Sequence, residues 1–218
     1  MTYGFVGTIP TQNKRTGNKG VLTTNDIIQL KSLDQLDGWG DDMLKIATSD
    51  ITNQASIDFT GCDGTRDYIL VWNNVTFSSS GGYFQIRLSD DNGSTFSSSN
   101  FYDNYNYYIR GTTDTYGVNA GDQTSLRIGI STNNQTGNCF NGWLHFDSYQ
   151  DFDNGEKLGT NMRGFGTTIN TASSTSIEGN AYNCRYKLKN FSANAIQVFS
   201  STASMSGRFT LYQKVWED

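Results

Sequence analysis

A chain of 218 residues has room for one all-β domain with an extension, or for two small domains at most. Hydrophobic residues at 35% and aromatic residues at 13% supply enough apolar surface to exclude a disordered chain. Asp and Glu total 21 against 16 Lys and Arg, a net charge of -5, which argues against a nucleic-acid binder because such a protein needs a positive face.

Residues 1–22 hold Tyr3, Phe5, Val6 and Ile9, then a basic stretch with Lys14, Arg15 and Lys19, and show no sustained period. They read as an extended arm. The start, MTYGFVGTIP, lacks the basic-then-apolar order of a secretory signal. No apolar run approaches the roughly 18 residues that span a bilayer. Thr23 and Asp26 resemble a capping box for one short helix through Ile27, Ile28, Leu30, Leu33 and Leu36, closed by Gly38 and Gly40. The chain divides near residue 40, giving an arm-and-helix segment 1–40 and a β domain 41–218.

From about residue 43 the period changes to two, as in strands whose side chains alternate between faces. SIDF places Ile57 and Phe59 together, and RDYILVW sets Tyr68, Leu70 and Trp72 opposite Ile69 and Val71. YFQIRLS turns Phe84, Ile86 and Leu88 inward. NYNYYIRG alternates Tyr105, Tyr107 and Ile109 with Asn106, Tyr108 and Arg110. SLRIGIS aligns Leu126, Ile128 and Ile130; CFNGWLHFDSY sets Phe140, Leu144 and Phe146 against Trp143 and His145. NCRYKLKN, AIQVFSS and GRFTLYQKVW complete the series. Asp63-Gly64, Gly81-Gly82, Asn92-Gly93, Gly121, Asn154-Gly155 and Gly207 read as turns between them. Roughly nine or ten short strands without interleaved helices predict an all-β fold, an antiparallel β-sandwich or jelly roll.

Little in the chain announces chemistry. Cys62, Cys139 and Cys184 fit no zinc or redox spacing and read as buried, reduced thiols of a protein made in a reducing cytoplasm. His145 is the only histidine, with Asp147 on the same face, but a catalytic base also needs a nucleophile. It reads as a surface histidine. Asp147, Asp151, Asp153, Asn154 and Glu156 offer hard oxygens for calcium in a register unlike an EF-hand, and a turn is the simpler reading. No metal or cofactor is expected. Aromatic candidates for stacking on sugars are Trp39, Trp72, Trp143 and Trp216 and the run Phe101, Tyr102, Tyr105, Tyr107 and Tyr108; packing in a core or interface is the alternative.

Two stretches carry a family resemblance. Residues 54–102, QASIDFTGCDGTRDYILVWNNVTFSSSGGYFQIRLSDDNGSTFSSSNFY, resemble a pattern of tailed-bacteriophage structural proteins. In that pattern a strand ends in Asp-Phe-Thr, another in Asn-Val and another in Leu-Ser, before Asp-x-Gly-Ser-Thr-Phe. The closing SSTASMSGRFTLYQKVW is similar to the family's last strand, and GFVGTIP…NKGVLTTNDIIQL to its leader segments. The resemblance implies a β-sandwich virion component, commonly a homotrimer, made in the host cytoplasm, with no catalytic residues and no direct contact with nucleic acid or membrane. The short arm implies a capsid decoration or cement protein, bound to the major capsid protein or other virion proteins through Tyr3, Phe5, Val6, Ile9, Lys14, Arg15 and Lys19. The alternative is a tail or capsid fibre domain that binds a host-surface carbohydrate, with Tyr102, Tyr105, Tyr107 and Tyr108 as candidate contacts; a virion-associated carbohydrate-cleaving enzyme is a third.

Overall fold

The period-two pattern gives a strand one face for a core and one for the surface, and a computed structural model shows twelve strands among the described residues. The structure describes residues 43–79, 82–110, 114–132, 139–150, 157–170, 176–188 and 191–214. The expected arm and short helix lie outside them. The chain divides into Lys45–Lys214 and a second unit, Met1–Leu44 with Val215–Asp218, of which only Met43 and Leu44 are described. The strands are β1 Met43–Gln54, β2 Ser56–Phe59, β3 Tyr68–Phe77, β4 Gly82–Ser89, β5 Tyr102–Arg110 and β6 Asp114–Gln123. They continue with β7 Leu126–Thr132, β8 Phe140–Gln150, β9 Lys157–Asn170, β10 Ser176–Tyr186, β11 Ala195–Phe199 and β12 Met205–Lys214.

An eight-stranded sheet runs β1-β12-β3-β8-β9-β10-β5-β6 and a four-stranded sheet runs β2-β11-β4-β7. The expected antiparallel β-sandwich is therefore present, with twelve strands among the described residues rather than nine or ten. The strands not read from the sequence are β1, β6 and β9. Lys157 and Arg163 lie inside β9, and Glu178 inside β10. Gly121 lies within β6 and Gly207 within β12, where each was expected to form a turn. Asn92-Gly93 does form a turn, but it leads from β4 in one sheet to β5 in the other and closes no hairpin.

The core sits between the sheets. Trp72 is fully buried at its centre, edge-on to Phe84 at 5.1 Å and tilted against Phe140 at 5.3 Å. Leu70, Ile86, Leu88, Leu126, Ile128, Leu144, Val198 and Leu211 fill the space around it from both sheets. Tyr68, Leu70 and Trp72 of β3 face inward, as the alternation predicts, while Ile69 and Val71 are half-buried on the other face. Cys62 and Cys184 are buried free thiols, whose pKa values burial pushes up to about 11 and about 12. Cys139 is also free but only half-buried, against the expectation for all three.

β5 departs from the simple rule that apolar residues point in. Its polar set is inside: Asn104 and Asn106 are buried while Tyr105 and Tyr107 are exposed. Asn104 Nδ2 donates to the Ser125 carbonyl at 3.2 Å, and its Oδ1 accepts from the Arg127 N–H at 3.0 Å. Asn106 Nδ2 donates to the Arg127 carbonyl at 2.9 Å. β7 pairs with β4 along one side only, so these amides satisfy backbone groups on its other edge, where burial without partners is costly. That inversion places two tyrosines on the outer surface.

Candidate functional site

The register of the large sheet fixes which outward side chains stand side by side. Crossing β3, β8, β9, β10 and β5, one row holds Val71, Trp143, Phe165, Ala181 and Tyr107. The next row along the strands holds Ile69, His145, Arg163, Asn183 and Tyr105. Neighbouring strands lie about 4.8 Å apart and successive outward residues about 7 Å apart along a strand. About half of each side chain is open to solvent: Trp143 is 44% exposed, Phe165 42%, Tyr105 46% and Tyr107 51%. Phe165 leans across β10, where a Cβ on Gly179 would meet its ring at 3.5 Å, the distance of ordinary contact.

The outer face of the small sheet treats its aromatics differently. Arg87 lies over the Phe199 ring at 4.6 Å and Arg127 over the Tyr83 ring at 3.9 Å, both cation–π contacts. Among the described residues, no cation covers Trp143, Phe165, Tyr105 or Tyr107 in this way.

Charges beside the aromatic row are held in pairs. His145 is mostly covered between two carboxylates, with Nδ1 3.1 Å from Asp147 Oδ1 and Nε2 3.7 Å from Asp67 Oδ2. Arg163 holds the other Asp147 oxygen at 3.0 Å. One row further on, Asp103 is buried and lies 3.1 Å from Lys187 and 3.6 Å from Arg185. Lys187 also reaches Asp122 at 2.5 Å. Asp122 first and Asp103 second stabilise its charge and raise its pKa. The ligand atoms of Asp67, His145 and Asp147 all lie within 4.8 Å of one another, a set of N and O donors of the kind zinc accepts. Arg163 already supplies a positive charge to Asp147 there, so a cation would compete with it.

The residues singled out in the sequence separate into three groups. Tyr105 and Tyr107 lie on the outer face with Trp143. Tyr102 does not: it is fully buried, its hydroxyl accepting from the Leu88 N–H at 2.9 Å and donating to the Ser97 carbonyl at 3.2 Å. Burial drives its phenol well above the ordinary range. It is a structural corner and no ligand contact, and Trp72 is likewise core. The arm residues Tyr3, Phe5, Val6, Ile9, Lys14, Arg15 and Lys19, the Tyr108 side chain, Trp39, Trp216, Asp151, Asp153, Asn154 and Glu156 lie outside the described residues. His145 is less exposed than a surface histidine and is engaged by an aspartate on each side. Phe165 and Asp67 went unnoticed in the sequence. Phe165 stands between Gly164 and Gly166 in a strand with few apolar residues, and Asp67 closes the turn before β3.

No family model matches the chain, and no curated protein matches it. Among solved structures, the chain is similar to a polysaccharide lyase of family 18 at 11% identity, covering 82% of this chain and 90% of that one. The TM-score is 0.19, so the likeness lends no weight to a shared fold or activity.

Proposed function

We propose that this chain is a non-enzymatic structural protein of a tailed-bacteriophage virion, a fibre-type domain whose eight-stranded sheet holds a host-surface carbohydrate. The observation that carries the reading is the uncovered aromatic row, with Trp143, Phe165 and Tyr107 aligned across neighbouring strands. On the small sheet, by contrast, Phe199 and Tyr83 lie under arginines. Exposed aromatics cost solvation unless a partner covers them, and a contiguous apolar patch marks a binding surface. The virion setting rests on the ordered motifs of residues 54–102 and of the last strand. The fold makes these motifs into β2, β3, β4 and β12.

A second reading, a trimeric capsid decoration or cement protein, is favoured by the pattern of residues 1–22. Apolar Tyr3, Phe5, Val6 and Ile9 followed by Lys14, Arg15 and Lys19 suit an arm laid on an acidic neighbour such as the major capsid protein. Copy number per particle separates the two. Quantitative mass spectrometry of purified virions is expected to find the chain in small number, as for a tail or vertex component. Copies in proportion to the shell subunits would place it on the capsid and overturn the fibre reading. Incubation with a polysaccharide it binds is expected to leave the polymer length unchanged; shortening of the polymer would make it an enzyme.

A further inference from the structure

We infer that the outer face of the eight-stranded sheet binds a neutral, linear pyranose polysaccharide running across the strands, stacked on Trp143, Phe165 and Tyr107. This rests on the carbohydrate reading above and names the class of glycan.

The first support is the line of the rings. Trp143 and Phe165 are register partners, and Phe165 and Tyr107 are both register partners of Ala181. The row therefore advances by about 5 Å from Trp143 to Phe165 and by about 10 Å more to Tyr107, at the usual strand spacing. Between the rings, Ala181 and Gly179 keep the floor low, and the Phe165 ring lies across it. A row of ring faces suits a polymer whose units present one flat apolar face after another. A compact protein knob would be held better by a pocket than by a line.

The second support is the polar row beside it. A sugar ring carries hydroxyls around its rim and C–H groups on its faces, so its recognition needs an apolar platform flanked by planar hydrogen-bonding groups. Arg163 and Asn183 provide such groups about 7 Å along the strands from Phe165 and Ala181. The Tyr105 hydroxyl extends the row on β5.

The third support is charge. On this face Arg163, Arg185 and Lys187 stand among four carboxylates, Asp67, Asp103, Asp122 and Asp147, and each of the three cations is ion-paired. An anionic polysaccharide would have to take these cations from their carboxylates and would meet a chain of net charge -5. A neutral one leaves the pairs in place and meets the Arg163 fork, a multiple donor whose side chain is 65% exposed.

Affinity gel electrophoresis of the full chain tests this, with laminarin or galactomannan as neutral probes and alginate or polygalacturonate as anionic ones, at low and high NaCl. The expected result is retardation by a neutral polymer that salt leaves unchanged. Trp143→Ala and Phe165→Ala are each expected to weaken it about tenfold, the loss expected for a buried aromatic anchor. Trp143→Tyr, which keeps a platform, should retain most of the binding. Thermal melts of the variants should match the parent, because both rings lie outside the core. Binding to the anionic polymers alone, lost at high salt, overturns the inference and leaves the carbohydrate reading standing. Binding to no polysaccharide overturns both. If Trp143→Ala then changes the oligomeric state, the row is an interface between copies of the chain.

Discussion

Asn104 and Asn106 occupy inward positions of β5 where an apolar side chain would ordinarily stand, because the edge of β7 beneath them needs donors and acceptors. Replacing Asn104 with Leu keeps the branched outline but strands the Arg127 N–H and one Ser125 carbonyl contact in the interior. An orphaned buried polar group costs about 1–3 kcal/mol, so Asn104→Leu should lower the unfolding free energy by that amount, read as a lower urea midpoint with an unchanged slope. An unaltered midpoint would mean that water reaches the β7 edge. A second residue-scale prediction concerns acid. Asp91 accepts from the Ser89 hydroxyl, the Thr95 hydroxyl and the Thr95 N–H, and these bonds bring its pKa from 3.8 down to about 2. A depressed carboxylate pKa stabilises the fold above the unfolded value. That contribution fades as pH falls from about 4 toward about 2. Asp91→Asn should therefore flatten the fall in thermal midpoint across that interval, and a parallel fall in both proteins would show that the turn contributes nothing there.

Strands β1 and β12 show how an element is positioned. Arg208 makes two contacts with the carboxylate of Asp50, at 2.6 and 2.9 Å, and Thr48 bonds Thr210, so the edge strand is fastened along its outer face. β12 carries a bulge between Ser206 and Arg208, and Gly207 inside it has a φ of 148°, a region L residues rarely enter. A Cβ there would meet the Val75 Cα at 2.9 Å and the Asn74 carbonyl oxygen at 3.0 Å, both backbone atoms that cannot turn aside. Gly207→Ala should cost about 1–3 kcal/mol, read as a drop in melting midpoint; a variant as stable as the parent would mean that the bulge slides to a neighbouring residue. β3, β4, β8 and β12 were legible in the sequence because each carries a full apolar period. β9 was not: among its described inward side chains only Met162 is large and apolar, Gly164 lies against the Trp143 and Leu144 backbone, and Gly166 stands where Phe140 and Tyr182 need room. Glycines chosen for fit erase the alternation that would reveal a strand. The site suffered in the same way. Trp143, Tyr105 and Tyr107 could be seen as candidates one at a time. Their alignment depends on cross-strand register and on Phe165 in β9, and a single sequence specifies neither.

At the scale of the molecule, two modes of attachment have different structural requirements, which makes them separable by one pair of variants. The buried cluster from Ile51 to Leu211 is built by strands within Lys45–Lys214, so that unit carries a core of its own. Deleting residues 1–22 should therefore leave cooperative unfolding and the thermal midpoint close to those of the parent. Binding by an arm is demanding: fixing its backbone costs about 1–2 kcal/mol per residue, while a fully buried Tyr3, Phe5, Val6 or Ile9 returns about 1.5–3 kcal/mol. Side-chain burial alone does not hold such a segment down, so an arm that binds must also pair its backbone with the partner. Binding by the sheet face has no such ordering cost, because the large sheet already fixes the row of Trp143, Phe165 and Tyr107. If the chain is a shell decoration protein, the deletion should abolish co-sedimentation with particles lacking it, and Trp143→Ala should leave co-sedimentation intact. If it is a fibre-type domain joined to the virion by its arm, the deletion should again release it from particles, yet the free truncated protein should still be retarded by the neutral polysaccharide. Stoichiometric particle binding by the truncated protein would remove the arm from both accounts, and loss of that binding in Trp143→Ala would transfer its role to the sheet.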